Sequence, residues 1–183
     1  MKASVFVGTS VDGFIARRDG GLDFLDAGGN EPHGYEEFIA SVDTIVIGRK
    51  TFETVLGFGG PWPYGRKRVV VLSSRPVDLS PVREGVVEAM GGPPEEIASK
   101  LAAAGARHLY VDGGITIQRF LRAGLIDRLV VTRVPVLIGD GIPLFGSLPG
   151  DVRLHHVATR SYPGGLVQTE YRIVAEGGRE RSP

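Results

Sequence analysis

Three short stretches of this chain carry residue types suited to holding an anion, and each follows an apolar run. Gly113-Gly114 ends the run Arg107–Asp112, Gly48-Arg49-Lys50-Thr51 closes Thr44–Gly48, and Ser73-Ser74-Arg75 closes Arg68–Ser73. Glycine lets backbone approach a ligand closely, and the first N–H groups of a following helix are open to an anion. Arg49 and Lys50 add positive charge, and Thr51 adds a hydroxyl. Two hydroxyls and a guanidinium at Ser73-Ser74-Arg75 suit a monoester phosphate such as the ribose 2′-phosphate that separates NADP from NAD. Taken singly, each stretch is equally a tight turn, a pair of solvated cations or a polar loop. The phosphate loop of the Walker type is absent, and Gly8 and Gly13 are spaced wrongly for a GxGxxG fingerprint.

The elements that position these stretches follow from periodicity. Ala3–Gly8, Thr44–Gly48, Arg68–Ser73 and Arg107–Asp112 are near-continuous apolar runs, as expected for strands buried on both faces of a sheet. Helical spacing places a helix from about Gly34 to Ser41, a second starting at Arg49, a third from Pro94 towards Gly105, and a fourth carrying Ile117, Phe120 and Leu121 on one side. Phe14-Ile15-Ala16 is a short apolar return after the Asp12-Gly13 turn, and Arg128–Leu137 is expected as one long strand. Pro163-Gly164-Gly165 separates Arg153–Tyr162 from Leu166–Val174, a hairpin signal. Strands alternating with helices and then a hairpin argue for an α/β fold: a mixed, mostly parallel sheet, helices on both faces, and a C-terminal antiparallel hairpin. A single domain over residues 1–175 with a polar tail at 176–183 is the expected organisation. Ligands of such sheets bind beyond the carboxyl ends of the strands, where the three stretches above fall together with the loop Gly8–Gly13.

Composition removes several function classes. Lys+Arg and Asp+Glu balance at 21 each, so net charge points to neither nucleic acid nor an anionic membrane. The absence of cysteine excludes disulfides, thiolate nucleophiles and cysteine-based zinc sites. The four histidines, His33, His108, His155 and His156, show no metal-ligand spacing, and no metal is expected. No run approaches the ~18 apolar residues of a membrane span, and the N-terminus lacks a signal-peptide core. A cytoplasmic protein is the simplest expectation.

The order of motifs is similar to that of the dihydrofolate reductase superfamily. They are Ser10, Asp12, Gly13, Ile15 and Ala16, then Val46–Glu53, then Val71–Arg75, then Asp112-Gly113-Gly114 before a helix. The run Gly139–Phe145 most resembles the branch related to the reductase domain of riboflavin biosynthesis. The resemblance covers nearly the whole chain. It implies an NADPH-dependent reductase, with Gly113 and Gly114 at the diphosphate and Ile115 and Thr116 alongside. It implies further that Arg49, Lys50, Thr51, Ser74 and Arg75 hold the adenosine phosphates, with Gly48 and Ser73 also counted as cofactor-binding, that Gly8 and Thr9 face the nicotinamide with Ile15 packed nearby, and that the protein is a homodimer.

On the substrate side the chain departs from dihydrofolate reductases. Counting back from Gly48 to the position of their first-helix carboxylate lands near Pro32, and Asp23, Glu31 and Glu36 are not clean matches. Asp12 is then the candidate carboxylate, with turn formation before glycine as its other reading. Phe24, Tyr35, Phe38 and Trp62 are candidates to line a flat pocket for a heteroaromatic ring, or else belong to the core. The expected activity is hydride transfer to a small heterocycle, pterin-like or ribosylaminopyrimidine-like. The alternative is a non-catalytic nucleotide-binding module of the same fold.

Overall fold

The computed structural model describes residues 1–29, 31–83 and 85–174; the expected tail at 176–183 lies outside them. In chain order the strands are β1 (Lys2–Ser10), β2 (Phe14–Ala16), β3 (Thr44–Gly48), β4 (Arg68–Leu72), β5 (Val86–Met90), β6 (His108–Asp112), β7 (Arg128–Val134), β8 (Ile142–Pro143), β9 (Leu154–Ser161) and β10 (Val167–Ile173). The helices are α1 (Tyr35–Ser41), α2 (Arg49–Gly57), α3 (Pro94–Ala103) and α4 (Gly114–Arg122). Eight strands form one sheet in the order β5-β4-β3-β6-β1-β7-β10-β9, and β2 pairs with β8 beside it. Every described pairing in the large sheet is parallel except those made by β10, which runs against both β7 and β9.

The apolar runs are continuous because helices cover both faces. Alternate residues sort cleanly: Ile45, Ile47, Val69, Val71 and Tyr110 pack with Phe38 of α1 and Phe52 of α2. Val46, Val70, Leu109 and Val111 pack with Ile97 and Leu101 of α3 and Ile117 and Phe120 of α4. Full burial of such side chains contributes roughly 1.5–3 kcal/mol each, which is what holds the helices to the sheet.

Three details differ from expectation for local reasons. The strand from Arg128 stops at Val134, because Pro135 cannot donate to a ladder. Residues 23–28 form a short 3-10 helix. Helix α1 starts at Tyr35, after Gly34 turns the chain at φ +86°.

Two features of the sheet shape the site. First, β3 and β6 are neighbours, yet α2 after β3 lies on one face and α4 after β6 on the other. Their shared rim is therefore a topological switch point, the place where open α/β sheets form a ligand crevice. Second, β1 pairs with β6 only through Lys2–Ser4 and then continues with β7 as far as Ser10. The two strands therefore diverge towards the same rim.

At the opposite end His108 ties β6 to its surroundings. Its Nε2 lies 2.7 Å from Ser4 Oγ and its Nδ1 3.0 Å from the Ser41 carbonyl oxygen. Burial holds its pKa below the ordinary histidine value. The neutral ring is thus the form the fold favours, so its stabilisation is complete above about pH 6.5 and is lost as pH falls through the lower folded value. In chemical denaturation, wild type is expected to lose more stability between pH 7 and 5 than His108→Gln; parallel pH curves for the two would exclude this role.

Candidate functional site

The turns after β3 and β6 interlock. A Cβ on Gly48 would stand 2.9 Å from Thr116 Oγ1, and one on Gly113 would stand 2.3 Å from Thr51 Oγ1. Each glycine faces the threonine of the other turn. Gly113 also has φ +92°, a region that side-chain-bearing residues avoid. Among the described residues no side chain caps the N-terminus of α2 or α4, so both helix starts present open donors at the rim. Gly114 is covered from the other side, where its Cβ would meet Ile15 and Ile142 at 3.1 Å. The structure therefore brings together Ile15, Gly48, Thr51, Gly113, Gly114 and Thr116.

The remaining cofactor-side candidates spread along the same rim. Arg49 lies at the start of α2 and pairs with Glu53 at 2.8 Å, while Lys50 is exposed. Ser73, Ser74 and Arg75 follow β4, the neighbour of β3, about 5 Å further along the sheet. The Ser73 hydroxyl is turned inward, donating to the Arg75 carbonyl oxygen and accepting the Arg75 N–H, whereas Ser74 and Arg75 are exposed. Arg119 of α4 donates to the Gly92 carbonyl oxygen at 2.8 Å, tying the loop after β5 to the same rim. Ile115 is 65% exposed at the start of α4, so its backbone is the part directed at the crevice. Gly8 and Thr9 separate: Gly8 shares the α1 face with Phe6 and is covered by Leu25, while Thr9 is 2% exposed and faces the other way.

The substrate-side candidates fall in different settings. Asp12 accepts the Gly139 N–H at 2.8 Å and the Ile138 N–H at 3.3 Å, latching the loop after β7. A hydrogen bond from Ser10 leads the causes that hold its carboxyl below the usual value, so it is no proton donor near neutral pH. Phe24 is 4% exposed beneath the Arg17 guanidinium. Phe38 is equally buried, stacked on Phe6 at 4.9 Å and edge-on to Tyr110. Both rings are core. Tyr35 and Trp62 are half-buried, Tyr35 edge-on to Phe6 and Trp62 edge-on to Tyr64 and Phe52.

A different carboxylate stands at the crevice. Strand alternation puts His108, Tyr110 and Asp112 of β6 on the face of α1 and α2. Asp112 Oδ1 accepts the Gly113 N–H at 2.7 Å, and on the same face the Tyr110 hydroxyl donates to the Phe6 carbonyl oxygen at 2.9 Å. Burial pushes the Asp112 carboxyl up to about 6. Burial, and then the charge of Asp112, raises Tyr35 to about 12 and raises Tyr64 and Tyr110 further. The available signal in sequence was an acid at the carboxyl end of a buried central strand, directly before a glycine pair.

Two open hollows lie elsewhere, about 390 Å³ beside Asp43, Arg68 and Arg107 and about 650 Å³ around residues 146–153. Neither has an aromatic wall. Among the described residues no three His, Cys, Asp or Glu side chains gather as a metal needs, and no helix is long and apolar enough to cross a membrane.

Residues 2–168 match the family model described as the RibD C-terminal domain. The uncharacterized protein YwjB of Bacillus subtilis is 31% identical over 176 residues, spanning 93% of this chain and 97% of its own length. A crystal structure of a Shewanella sp. PV-4 protein, provisionally named for riboflavin biosynthesis, superposes with a TM-score of 0.88 at 38% identity over 96% of this chain and all of that one. Dihydrofolate reductase from Enterococcus faecalis, solved with NADP(H), shares the fold at a TM-score of 0.63 and 21% identity, over 94% of this chain and 96% of that one.

The interlock is directly testable. Gly48 has ordinary backbone angles, so Gly48→Ala meets only the Thr116 hydroxyl. In urea denaturation Gly48→Ala is expected to destabilise, and Thr116→Ala to relieve it, with a coupling of about 1 kcal/mol in the double-mutant cycle. Additive effects would show that the two turns do not touch.

Proposed function

Since this chain belongs to the RibD C-terminal domain family, a reductase-type family with the dihydrofolate reductase-like fold, we propose that it is an NADPH-dependent reductase of a small heterocycle. The interlocked glycine turns support this reading: each lies at a helix start and carries no side chain, which leaves backbone N–H groups open to a diphosphate. Gly113, Gly114 and Thr116, with the backbone of Ile115, hold the diphosphate from the α4 side, and Gly48 and Thr51 hold it from the α2 side. Arg49, Lys50, Ser74 and Arg75 take the adenosine phosphates, Arg49 by exchanging Glu53 for a stronger anion. Gly8 and Ile15 border the nicotinamide, and Thr9 reaches it through its backbone alone. The cofactor, when bound, supplies the hydride.

The protein's own task is to hold the substrate ring and to provide a proton. Tyr35 and Trp62 flank the ring on the α1 and α2 side. Asp112 gives the proton, because a carboxyl with a value near 6 is both available and protonated in part at neutral pH. Asp12 holds the loop at 138–139 and takes no part in the proton step. One domain over residues 1–174, a homodimer and a cytoplasmic setting complete the proposal.

Two experiments test it. With the ligand at ~100 times its dissociation constant, NADPH should stabilise the protein by about 2.7 kcal/mol in a thermal shift. Arg49→Ala and Arg75→Ala should weaken NADPH at least tenfold more than NADH; equal losses would refute the 2′-phosphate assignment. In steady-state kinetics with a reducible substrate, the rate should fall as pH rises through about 6, because the proton-bearing form of Asp112 is lost there. Asp112→Asn should cost on the order of 100-fold or more in kcat and remove that limb. NADPH binding without turnover on any heterocycle would favour the non-catalytic alternative.

A further inference from the structure

The loop before α1 is fastened to the tip of the β9–β10 hairpin at several points. Glu31 Oε1 accepts the Gly164 N–H at 2.9 Å, and the Gln168 side chain donates to the His33 carbonyl oxygen at 2.9 Å. A Cβ on Gly28 would run into Leu166, and one on Gly164 would stand 2.6 Å from the Gly28 carbonyl oxygen. Behind the tip, a Cβ on Gly165 would stand 3.1 Å from Pro135. The glycines fall where two chains pass too closely for side chains, so the tip is wedged in place.

Gln168 is the centre of this fastening. It is 4% exposed, and both its N–H groups are used, one on the His33 carbonyl oxygen and one on Thr132 Oγ1 at 3.0 Å. Its Oε1 accepts from the Tyr162 hydroxyl at 3.5 Å. A buried amide so partnered fixes one geometry, because removing it strands a carbonyl and a hydroxyl away from water. In register, Gln168 stands opposite Thr132 and Thr132 opposite Gly8, one row across β10, β7 and β1. The loop is thus anchored two strand spacings, about 10 Å, from the residue that borders the proposed nicotinamide position.

From that anchor the chain turns at Gly34, and the rings of His33 and Tyr35 both lie 5.7 Å from the Phe6 ring. His33 Nδ1 lies 3.0 Å from the Glu31 carbonyl oxygen, which holds its ring in turn. Helix α1 has only seven residues and one buried side chain, Phe38, so it does little to fix this wall by itself.

Resting on the reductase reading above, we propose that Gln168 is a positioning residue for the substrate. Acting through the His33 carbonyl, it sets the stance of His33 and Tyr35 relative to Gly8, and so the space in which the ring meets the nicotinamide. Glu31 secures the same loop. The cradle between β3 and β6 lies on the far side of β1 from both, and changes at either leave it intact.

The test is titration calorimetry of NADP+ alone, then of pterin and 5-aminouracil on the NADP+-saturated protein. Gln168→Leu and Glu31→Ala are each expected to weaken the rings at least tenfold and to change NADP+ binding less than twofold. Glu31→Gln, which keeps an acceptor for the Gly164 N–H, should stay within twofold of wild type for every ligand. A merely structural role would lower the fraction of competent protein, reducing both stoichiometries and leaving both dissociation constants unchanged. That result, or equal weakening of rings and cofactor, would overturn the proposal. If Gln168→Leu does not fold, Glu31→Ala, which removes one exposed bond, decides the matter. Wild type that binds neither ring would strike the reductase reading itself, and this inference with it.

Discussion

The constraint from which the site follows is the crossing of two turns at the rim between β3 and β6. Adjacent parallel strands whose helices lie on opposite faces must send their chains past one another at the sheet edge. The space there is small enough that a methyl group on Gly113 would stand 2.3 Å from Thr51 Oγ1, and one on Gly48 would stand 2.9 Å from Thr116 Oγ1. Only glycine fits at both positions without displacement, and Gly113 needs its positive φ besides. The packing requirement that removes two side chains also leaves backbone N–H groups bare at two helix starts, side by side. The proposed anion site is thus a by-product of how the sheet is wound.

The same strand end carries the acid. Asp112 is the last residue of β6 and Gly113 the first of its turn, and the carboxylate accepts the N–H of that glycine. This bond places the acid at the junction between the cradle and the aromatic face of α1 and α2. Its raised pKa comes from burial, with the bond from the Gly113 N–H opposing. Tyr110 anchors the arrangement from below, because its hydroxyl closes on the Phe6 carbonyl oxygen where β1 leaves β6 for β7. Divergence of two strands, a tyrosine spanning the gap and an acid above it form one continuous structure.

Sequence made the sheet legible, and with it the rim on which the glycines and cations fall, but not which aromatic side chains are core. Buried strands announce themselves through unbroken apolar runs, and β3, β4 and β6 were found within a residue or so on that basis. Glycines and cations directly after such runs fall at strand ends by construction, so their gathering on one rim followed once the sheet was parallel. The aromatic residues had no comparable signature. Phe38 and Tyr35 lie on one short helix, three residues apart, yet Phe38 is core and Tyr35 half-exposed, a difference set by how α1 leans on Phe6. Asp12 drew attention as an acid near the first strand, but its turn is fastened to a loop 126 residues away, a contact that local pattern cannot reveal. Asp112 was visible as part of an Asp-Gly-Gly signature whose glycines masked the interest of the acid.

The rim therefore carries different groups along its length, suited to different ligands. Towards β4 and β5 lie guanidinium groups and exposed hydroxyls, suited to phosphates that stay partly in water. Towards β1 lie phenols, an indole and a carboxyl group with a raised pKa, suited to a flat polar ring that leaves water. The dinucleotide proposed above, laid along the strand ends, would have its phosphates on the first half and its ring end on the second. The shared boundary is Gly113, whose N–H belongs to Asp112 and whose missing side chain belongs to the cradle. Any substitution there acts on both halves at once, whereas changes at Arg75 or Trp62 act on one alone.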